Sequence, residues 1–378
     1  MNDRSIPGAI VQKVQSGERL TREEALELFA ARDLVQLGRL ADQVKRARWH
    51  DRAHFVINRQ INPSNICVLS CRFCDFATKR GRANAYEMTI QEILEKCSPE
   101  LHEVHIVGGL HPDWTWDYYL EMFRAITSAF PQIQIKAWTA VEIDFFSKKF
   151  RLSVEEVLRQ LKEAGLSALP GGGAEVFSER VRKALFPFKI GAPRWLQIHK
   201  IAHRLGIPTN ATLLYGHMET HEERVDHMLK LRNLQDETNG FMSFIPLAYQ
   251  PGTTQVVARQ ASATEDLKTI AIARLFLDNV PHIKAYWVTM GEDIASVALH
   301  FGADDIDGTI GEERIMHAAD AASPVSLTRG RLVELIRESG CVPVERDALY
   351  RTLQIYRKFA DANFLSSQEQ KEGHAVKE

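Results

Sequence analysis

The chain has 378 residues, of which 45% are hydrophobic and 25% charged, as in folded proteins with a substantial core. Its 47 basic and 49 acidic residues give a formal net charge of −2, which argues against nucleic acid or an anionic membrane as the main partner. The N-terminus is polar and no apolar run approaches the ~20 residues of a membrane span, so we expect no membrane insertion and a cytoplasmic location.

The first elements in chain order form a predicted helical extension over residues 1–50, which includes a pair of amphipathic helices. Eight β-branched, apolar segments follow and are predicted to be strands. They cover residues 55–61, 103–109, 134–143, 166–172, 209–216, 241–249, 282–290 and 304–310. The segments between them repeat apolar residues every three or four positions, as helices packed on one face do.

This alternation of strands and helices predicts parallel strands joined by right-handed crossovers. Eight such units favour an α/β fold in which residues 51–320 form a TIM-like (β/α)8 barrel, and an open doubly wound sheet is the alternative. Residues 321–365 are predicted to be C-terminal helices that cap the barrel mouth. The polar tail, residues 366–378, is predicted to be disordered.

Three of the five cysteines, Cys67, Cys71 and Cys74, lie within eight positions on the loop after the first predicted strand. Soft thiolates select zinc, copper(I) or iron–sulfur clusters. A structural zinc site needs a fourth ligand, and no second C-x2-C pair is present. The nearby candidates for a fourth ligand are His102, His105 and His111. Three thiolates on a [4Fe–4S] cluster would leave one iron open for an exogenous ligand, so the pattern favours a catalytic cluster.

The spacing C-x3-C-x2-C, with Phe73 before the last cysteine, resembles the signature of the radical S-adenosylmethionine (SAM) enzymes. The resemblance implies that Cys67, Cys71 and Cys74 bind a [4Fe–4S] cluster whose open iron chelates SAM, and that Phe73 is one of the cofactor-binding residues. One electron then cleaves SAM to give a 5′-deoxyadenosyl radical. Gly108-Gly109, which ends the second predicted strand, is similar to the superfamily motif whose backbone receives the SAM amino group. An ordinary tight turn is the alternative.

Further stretches between about residue 17 and residue 340, such as "HIVGGLHPDW", "KAWTAVEI" and "LPGGGAEVFSERVR", resemble the aminofutalosine synthases of menaquinone biosynthesis. The resemblance implies that the adenosyl radical adds to the enol-ether double bond of 3-[(1-carboxyvinyl)oxy]benzoate. Rearrangement and loss of the carboxylate then give aminofutalosine. SAM is a co-substrate, and a reductant such as flavodoxin or ferredoxin is implied as the partner. Dehypoxanthine futalosine cyclase and the deazaflavin-cofactor synthase subunit are the alternatives within the superfamily. A non-catalytic iron–sulfur protein is the alternative from a different class.

Reactive groups in such a barrel lie at the C-terminal ends of the strands. Glu142, expected at the end of the third strand, and Glu175, in "GGGAE", are predicted to contact SAM. Glu175 resembles the superfamily carboxylate that binds the ribose or amino part of SAM, and an acidic cap of the next helix is the alternative. Arg182 could hold the methionyl carboxylate in a two-pronged contact, with a solvated helix arginine as the alternative.

The implied substrate carries two carboxylates, so its pocket needs cationic or amide donors. His217, in "YGHME", is the predicted donor or proton shuttle because histidine titrates near neutral pH. A purely structural histidine is the alternative. The other predicted substrate-binding residues are His111, Asn210 and Tyr215.

Overall fold

The computed structural model describes residues 5–357, so the predicted disordered tail lies outside the described residues. The strands are β1 Arg52–Val56, β2 Asn58–Ile61, β3 Glu103–Ile106, β4 Gln134–Ala137, β5 Leu166–Ala168, β6 Thr209–Tyr215, β7 Phe241–Ala248, β8 His282–Ile283, β9 Asp305–Gly308, β10 Val342–Arg346 and β11 Thr352–Ile355. The helices are α1 Gly8–Ser16, α2 Arg22–Ala30, α3 Leu34–Trp49, α4 Ile90–Leu94, α5 Trp116–Ala129, α6 Ala140–Phe150, α7 Val154–Ala164, α8 Glu179–Leu185, α9 Ala192–Arg204, α10 His221–Thr238, α11 Ala263–Phe276, α12 Trp287–Met290, α13 Glu292–Ala298 and α14 Arg329–Glu338, with a short 3-10 turn at His317–Ala319.

The strands from β1 to β9 close into a parallel barrel. Ile57 alone separates β1 from β2, and together they form the first of eight barrel strands. β2, β3, β4 and β5 pair in order, as do β6, β7 and β8. Parallel bridges join Leu169 to Thr209, Lys284 to Asp305 and Gln60 to Gly311. These bridges close the ring, so the predicted (β/α)8 barrel is confirmed and the open sheet is excluded.

Alternation along each strand decides which side chains enter the barrel. On β6, Asn210, Thr212 and Leu214 line the interior cavity. Tyr215 has the opposite parity and faces the outer helices, where its hydroxyl donates to Asp266 of α11 at 2.6 Å. The residues of β6 are buried throughout, because helices cover the barrel outside and a cavity lies within.

Serine or threonine caps begin the helices that follow several strands. One of them ends the third predicted strand early. Residues 134–143 were expected to be a single strand, but β4 stops at Ala137 and α6 starts at Ala140. The Glu142 carboxylate accepts a 2.6 Å hydrogen bond from Thr139 N, which closes a capping box. Glu142 therefore lies in the first turn of α6.

The prediction that residues 321–365 are helices over the barrel mouth does not hold for residues 321–357, and residues 358–365 lie outside the described residues. Residues 321–357 contain α14 and a pair of strands, and β10 runs parallel to β1 while β11 is antiparallel to β10. Val342, Pro343 and Val344 explain the strand, because proline and β-branched residues disfavour a helix. Arg346 pairs with Asp305 at the start of β9, at 2.7 Å. The strands β10 and β11 therefore lie at the N-terminal end of the barrel, opposite the mouth.

The N-terminal helices lie on the outside of the helical ring. α2 and α3 correspond to the predicted pair, and α1 precedes them. α2 packs on α10 and α3 packs on α11. Arg22 bonds Asp226 of α10 at 2.5 Å, and the Lys268 ammonium of α11 donates to the carbonyl of Ala31 at 2.6 Å. None of the helices between residues 5 and 357 is long and apolar enough to cross a bilayer.

Candidate active site

The loop that carries the three cysteines leaves the C-terminal end of β2 and doubles back on itself. Cys67 N donates to the carbonyl of Thr78 at 3.0 Å, and Thr78 N donates to the carbonyl of Asn65 at 2.9 Å. Cys74 N donates to the carbonyl of Cys71 at 3.3 Å, which places the last two cysteines on one turn. The backbone of the loop thus holds the three thiols at the mouth of the barrel.

All three cysteines line one cavity of about 280 Å³. The predicted site residues that line it are Cys67, Cys71, Phe73, Cys74, Gly108, Gly109, Glu142, Glu175 and Asn210. They lie on, or follow, five successive strands of the barrel. These nine residues therefore meet in one cavity.

The thiols have the chemistry of cluster ligands. They are free, and burial raises the pKa of Cys71 to about 11 and raises that of Cys74, so iron binding would displace protons. Soft thiolates that converge on one cavity are suited to an iron–sulfur cluster.

The Gly108-Gly109 pair lies directly beneath the cysteine loop. A Cβ atom on Gly109 would lie 2.2 Å from the carbonyl oxygen of Ile66, so only glycine fits there. Gly109 N donates to the carbonyl of Ser64 at 2.8 Å, and Gly108 N donates to the Glu142 carboxylate at 3.1 Å. Close packing against the cysteine loop thus explains why position 109 is a glycine. The hydrogen bond from Gly108 N to Glu142 links this segment to α6.

The Glu142 carboxylate is buried at the cavity wall. Burial raises its pKa to about 7, although backbone donors from Thr139 and Gly108 oppose that shift. A carboxyl group with a pKa near 7 can bind a cationic group as carboxylate or release a proton at neutral pH. Its position beside Gly108 keeps it in the set of candidate SAM contacts.

A buried ion pair that the sequence did not predict faces the thiols. The Lys189 ammonium contacts the Glu175 carboxylate and lies 4.9 Å from the ring centroid of Phe73. Both side chains of the ion pair line the cavity. Although burial lowers the pKa of Lys189, Glu175 and Cys71 raise it above its usual range, so the ammonium stays charged. Lys189 follows "LFPF" in a stretch with no motif, so only its single positive charge in an apolar run could have singled it out.

Polar side chains from the barrel strands form the floor of the cavity. His105 of β3 and Lys136 of β4 occupy paired positions of neighbouring strands, and Asn210 of β6 lies across the barrel. Burial and the nearby Lys136 lower the pKa of His105 to about 3, so its ring is neutral. Nε2 of His105 has no hydrogen-bond partner among the described residues. The signal in the sequence was a polar residue at an inward position of an otherwise apolar strand.

Two predicted cofactor or substrate residues point away from the cavity. Arg182 bonds Glu179 on its own helix at 2.6 Å, and its guanidinium also donates to the carbonyl of Pro187 at 2.7 Å. Tyr215 bonds Asp266 outside the barrel. The predictions that Arg182 holds a carboxylate of SAM and that Tyr215 binds substrate are corrected on this geometry.

The two predicted histidines are also bound elsewhere. His217 Nε2 lies 3.0 Å from the carbonyl of Leu214, and its Nδ1 lies 3.0 Å from Glu219. Burial lowers the pKa of His217. His111 stacks on Trp114 with ring centroids 4.5 Å apart and lines a separate groove on the outer surface. Neither side chain lines the cavity, so the structural alternative holds for both.

Comparison with known sequences finds relatives over nearly the whole chain. Aminodeoxyfutalosine synthase of Thermus thermophilus is 48% identical and covers 92% of this chain and 96% of its own. Aminodeoxyfutalosine synthase of Streptomyces coelicolor is 42% identical, with 94% and 96% covered. Cyclic dehypoxanthine futalosine synthase of the same organism is 39% identical, with 92% and 89% covered.

Family models and a solved structure agree with these relatives. The radical SAM superfamily model matches residues 61–231, and the model of the CofH/MqnC C-terminal region matches residues 238–359. The crystal structure of methylornithine synthase (PylB) superposes with a TM-score of 0.70 at 19% identity, over 88% of this chain and 97% of that one, and supports the fold alone. The chain is a radical SAM enzyme and belongs, within that superfamily, to the family of the aminodeoxyfutalosine synthases.

Proposed function

We propose that this enzyme joins the adenosyl part of SAM to the enol-ether carbon of 3-[(1-carboxyvinyl)oxy]benzoate and forms aminofutalosine with loss of the carboxylate. The observation that carries the proposal is the single cavity that three free thiols share with Glu142, Glu175 and a polar floor. The higher identity to the synthases than to the cyclic dehypoxanthine futalosine synthase supports this reaction over its closest alternative.

Cys67, Cys71 and Cys74 would hold a [4Fe–4S] cluster, which together with bound SAM and one electron supplies an adenosyl carbon radical. The chain's own residues bind and orient the reactants. Gly108 offers a backbone surface without a side chain, and Glu142 beside it offers a carboxylate for a cationic amino group. The ring of Phe73, packed at 5.8 Å against Phe186, holds the turn between the last two cysteines.

Glu175 and Lys189 are proposed as the second half of the SAM site. In the free enzyme each neutralises the other, so neither is left as an unpaired buried charge. A ligand that carries both an ammonium and a carboxylate can replace this ion pair by two others. Its ammonium would pair with Glu175, and its carboxylate would pair with Lys189. Glu175 would then face the amino or ribose part, and Lys189 would take the carboxylate in place of Arg182.

The floor of the cavity is proposed to receive the benzoate end of the substrate. Lys136 supplies a positive charge, and His105 and Asn210 supply neutral polar groups. The apolar side chains of Leu214, Ile245 and Leu247 line the same cavity and offer contacts to an aromatic ring. The cavity would also shield a carbon radical from water.

The test is anaerobic reconstitution with iron and sulfide, followed by reaction with SAM, dithionite and the enol-ether benzoate. Mass spectrometry should find a covalent adenosyl adduct with the mass of aminofutalosine. Free 5′-deoxyadenosine as the main product would favour the cyclase or the deazaflavin-type reaction. A cluster whose spectrum does not change when SAM is added would point to a non-catalytic iron–sulfur protein.

A further inference from the structure

The cysteine loop has two sides, and one of them faces solvent. Cys67, Leu69 and Cys71 line the cavity. Val68 and Arg72, which alternate with them, are exposed. Thiol-bound iron would therefore lie beneath a single layer of backbone at this point of the surface.

Two exposed hydrophobic side chains flank this layer. Among the described residues, Phe188 is the most exposed large hydrophobic side chain, at 73%, and Val68 is exposed at 46%. Arg72 N donates to the carbonyl of Leu185 at 2.7 Å, which joins the cysteine loop to the segment that carries Phe188. Val68 N donates to the carbonyl of Leu110 at 3.1 Å on the other side. An exposed phenylalanine beside a reactive loop is the kind of apolar centre that docking surfaces have.

The two chain segments that carry these apolar residues are rich in basic residues. Segment 68–84 holds four basic residues and one acidic residue, and so does segment 179–189, in a chain whose net charge is −2. Several of these cations are neutralised by ion pairs, which join Arg80 to Asp113, Arg180 to Glu223, Arg182 to Glu179 and Lys189 to Glu175. Arg72 and Arg82 have no ion pair within the described part of the chain, and Lys183 lies only at 3.9 Å from Glu179. These three residues are exposed.

Residues 5–357 hold no second group of thiols that could relay electrons to the cysteine loop. The remaining two cysteines, Cys97 and Cys341, are buried and lie apart from the loop. A second iron–sulfur centre would need several thiolates together. An electron for the cysteine loop therefore has to arrive from outside, through the nearest surface.

We propose that Val68, Arg72, Arg82, Lys183 and Phe188, here called the Phe188 face, form the docking surface for an acidic one-electron carrier protein. The inference rests on the proposed radical SAM function, since it assumes a cluster at the three thiols. The carrier loses one electron and the cluster gains one, with no other bond made or broken. Phe188 supplies the apolar contact, and the cations steer an acidic partner to it.

The experiment uses flavodoxin, an acidic flavin protein, as the probe. Its binding to the enzyme is measured by titration calorimetry at two salt concentrations, with both apo and reconstituted enzyme. The variants are Phe188→Asp and Lys183→Glu, which lie outside the cavity wall. The matched controls are Leu353→Asp, an exposed apolar residue on β11 at the other end of the barrel, and Arg124→Glu, an exposed cation on α5. Circular dichroism checks that each variant is folded.

We expect the two face variants to weaken flavodoxin binding by about tenfold, and more at low salt, while the controls bind as the unmodified enzyme does. Cluster reduction and turnover with reduced flavodoxin should fall in parallel. The same reactions with dithionite, a small reductant that needs no docking surface, should be unchanged.

Equal binding by all variants, or no binding of flavodoxin to the unmodified enzyme, would overturn the inference. An equal loss of dithionite-supported and flavodoxin-supported reduction would also overturn it, because it would place these residues in the cluster site. Absence of product with dithionite in the unmodified enzyme would count against the proposed function instead. The binding comparison would then still decide whether the Phe188 face docks the carrier.

Discussion

The Lys79 ammonium donates a 2.8 Å hydrogen bond to the carbonyl of Cys67, the first residue of the cysteine motif. The same ammonium donates to the carbonyls of Val68 and Leu69, at 3.1 and 2.8 Å. Three carbonyl oxygens that point at one site repel each other unless a cation lies between them. Lys79 therefore holds the first arm of the loop in the shape that places Cys67 toward the cavity.

We predict that Lys79→Met loosens the cysteine loop. Hydrogen bonds from a charged but exposed donor contribute about 1 kcal/mol to loop order, so amide exchange of residues 67–71 in the apoprotein should be about fivefold faster. The iron bound on reconstitution should fall as well. Lys148→Met, which removes an exposed lysine on α6, is the control. Unchanged exchange in Lys79→Met would show that the loop backbone alone suffices.

A second prediction concerns Glu142, whose pKa burial raises to about 7 from 4.5. A carboxyl group with a raised folded-state pKa stabilises the protein below pH 4.5 and loses that contribution as the pH rises through 7. Relative to Glu142→Gln, the free energy of unfolding of the apoprotein should therefore drop by about 2–3 kcal/mol between pH 5 and pH 8. Urea unfolding at four pH values measures it. Parallel curves for the two proteins would contradict it.

A third prediction concerns the ion pair between Lys136 and Glu103 beneath the cavity floor. Their charged atoms lie 2.5 Å apart and both side chains are buried. Burial alone would raise the pKa of Glu103, but the nearby Lys136 lowers it to about 2. Lys136→Met leaves a buried carboxylate without its partner and should cost about 3–5 kcal/mol of unfolding free energy.

The double variant Glu103→Gln/Lys136→Met should recover most of that loss, because it removes both charges. Chemical denaturation measures all three proteins. A loss in the double variant as large as that in Lys136→Met would mean that the pairing of the charges is not what stabilises the floor.

The architecture and the thiol site could be predicted from the sequence because both depend on local patterns. The alternation of strands and helices indicates the barrel, and Cys67, Cys71 and Cys74 are close together on one loop. Side-chain direction was predicted less well. Asn210 and Tyr215 were both expected in the pocket, but they lie five residues apart on one strand, so alternation places them on opposite faces.

Other parts of the site depend on contacts that no local pattern reveals. Lys189 follows α8, and only the fold of the chain brings it against Glu175, 14 residues earlier. Glu142 was expected at a strand end, and the capping box with Thr139 moved it into a helix while keeping it at the mouth. The strand β10 was missed because it pairs with β1, about 290 residues earlier, and long-range pairing leaves little trace in the nearby sequence.

The last prediction concerns the effect of Lys189 on the thiol of Cys71. Burial raises the pKa of Cys71 to about 11, and the positive charge of Lys189 opposes that increase. Lys189→Met removes the opposing charge and leaves the Glu175 carboxylate without its cation. Both changes disfavour the thiolate, so the pKa of Cys71 should rise further.

Alkylation of Cys71 by iodoacetamide in the apoprotein measures this shift, because only the thiolate reacts. At pH 9 the rate in Lys189→Met should be about three- to tenfold lower, and Lys189→Arg should keep the original rate. The pH dependence of the alkylation rate separates two effects. A change in the access of iodoacetamide to Cys71 alters the plateau of the rate, and a change in the nearby charge moves the midpoint of the curve. Lys183→Met, a neighbouring exposed lysine, should leave the profile unchanged. An unshifted midpoint in Lys189→Met would mean that Lys189 acts on SAM or on Glu175 alone and not on the thiols.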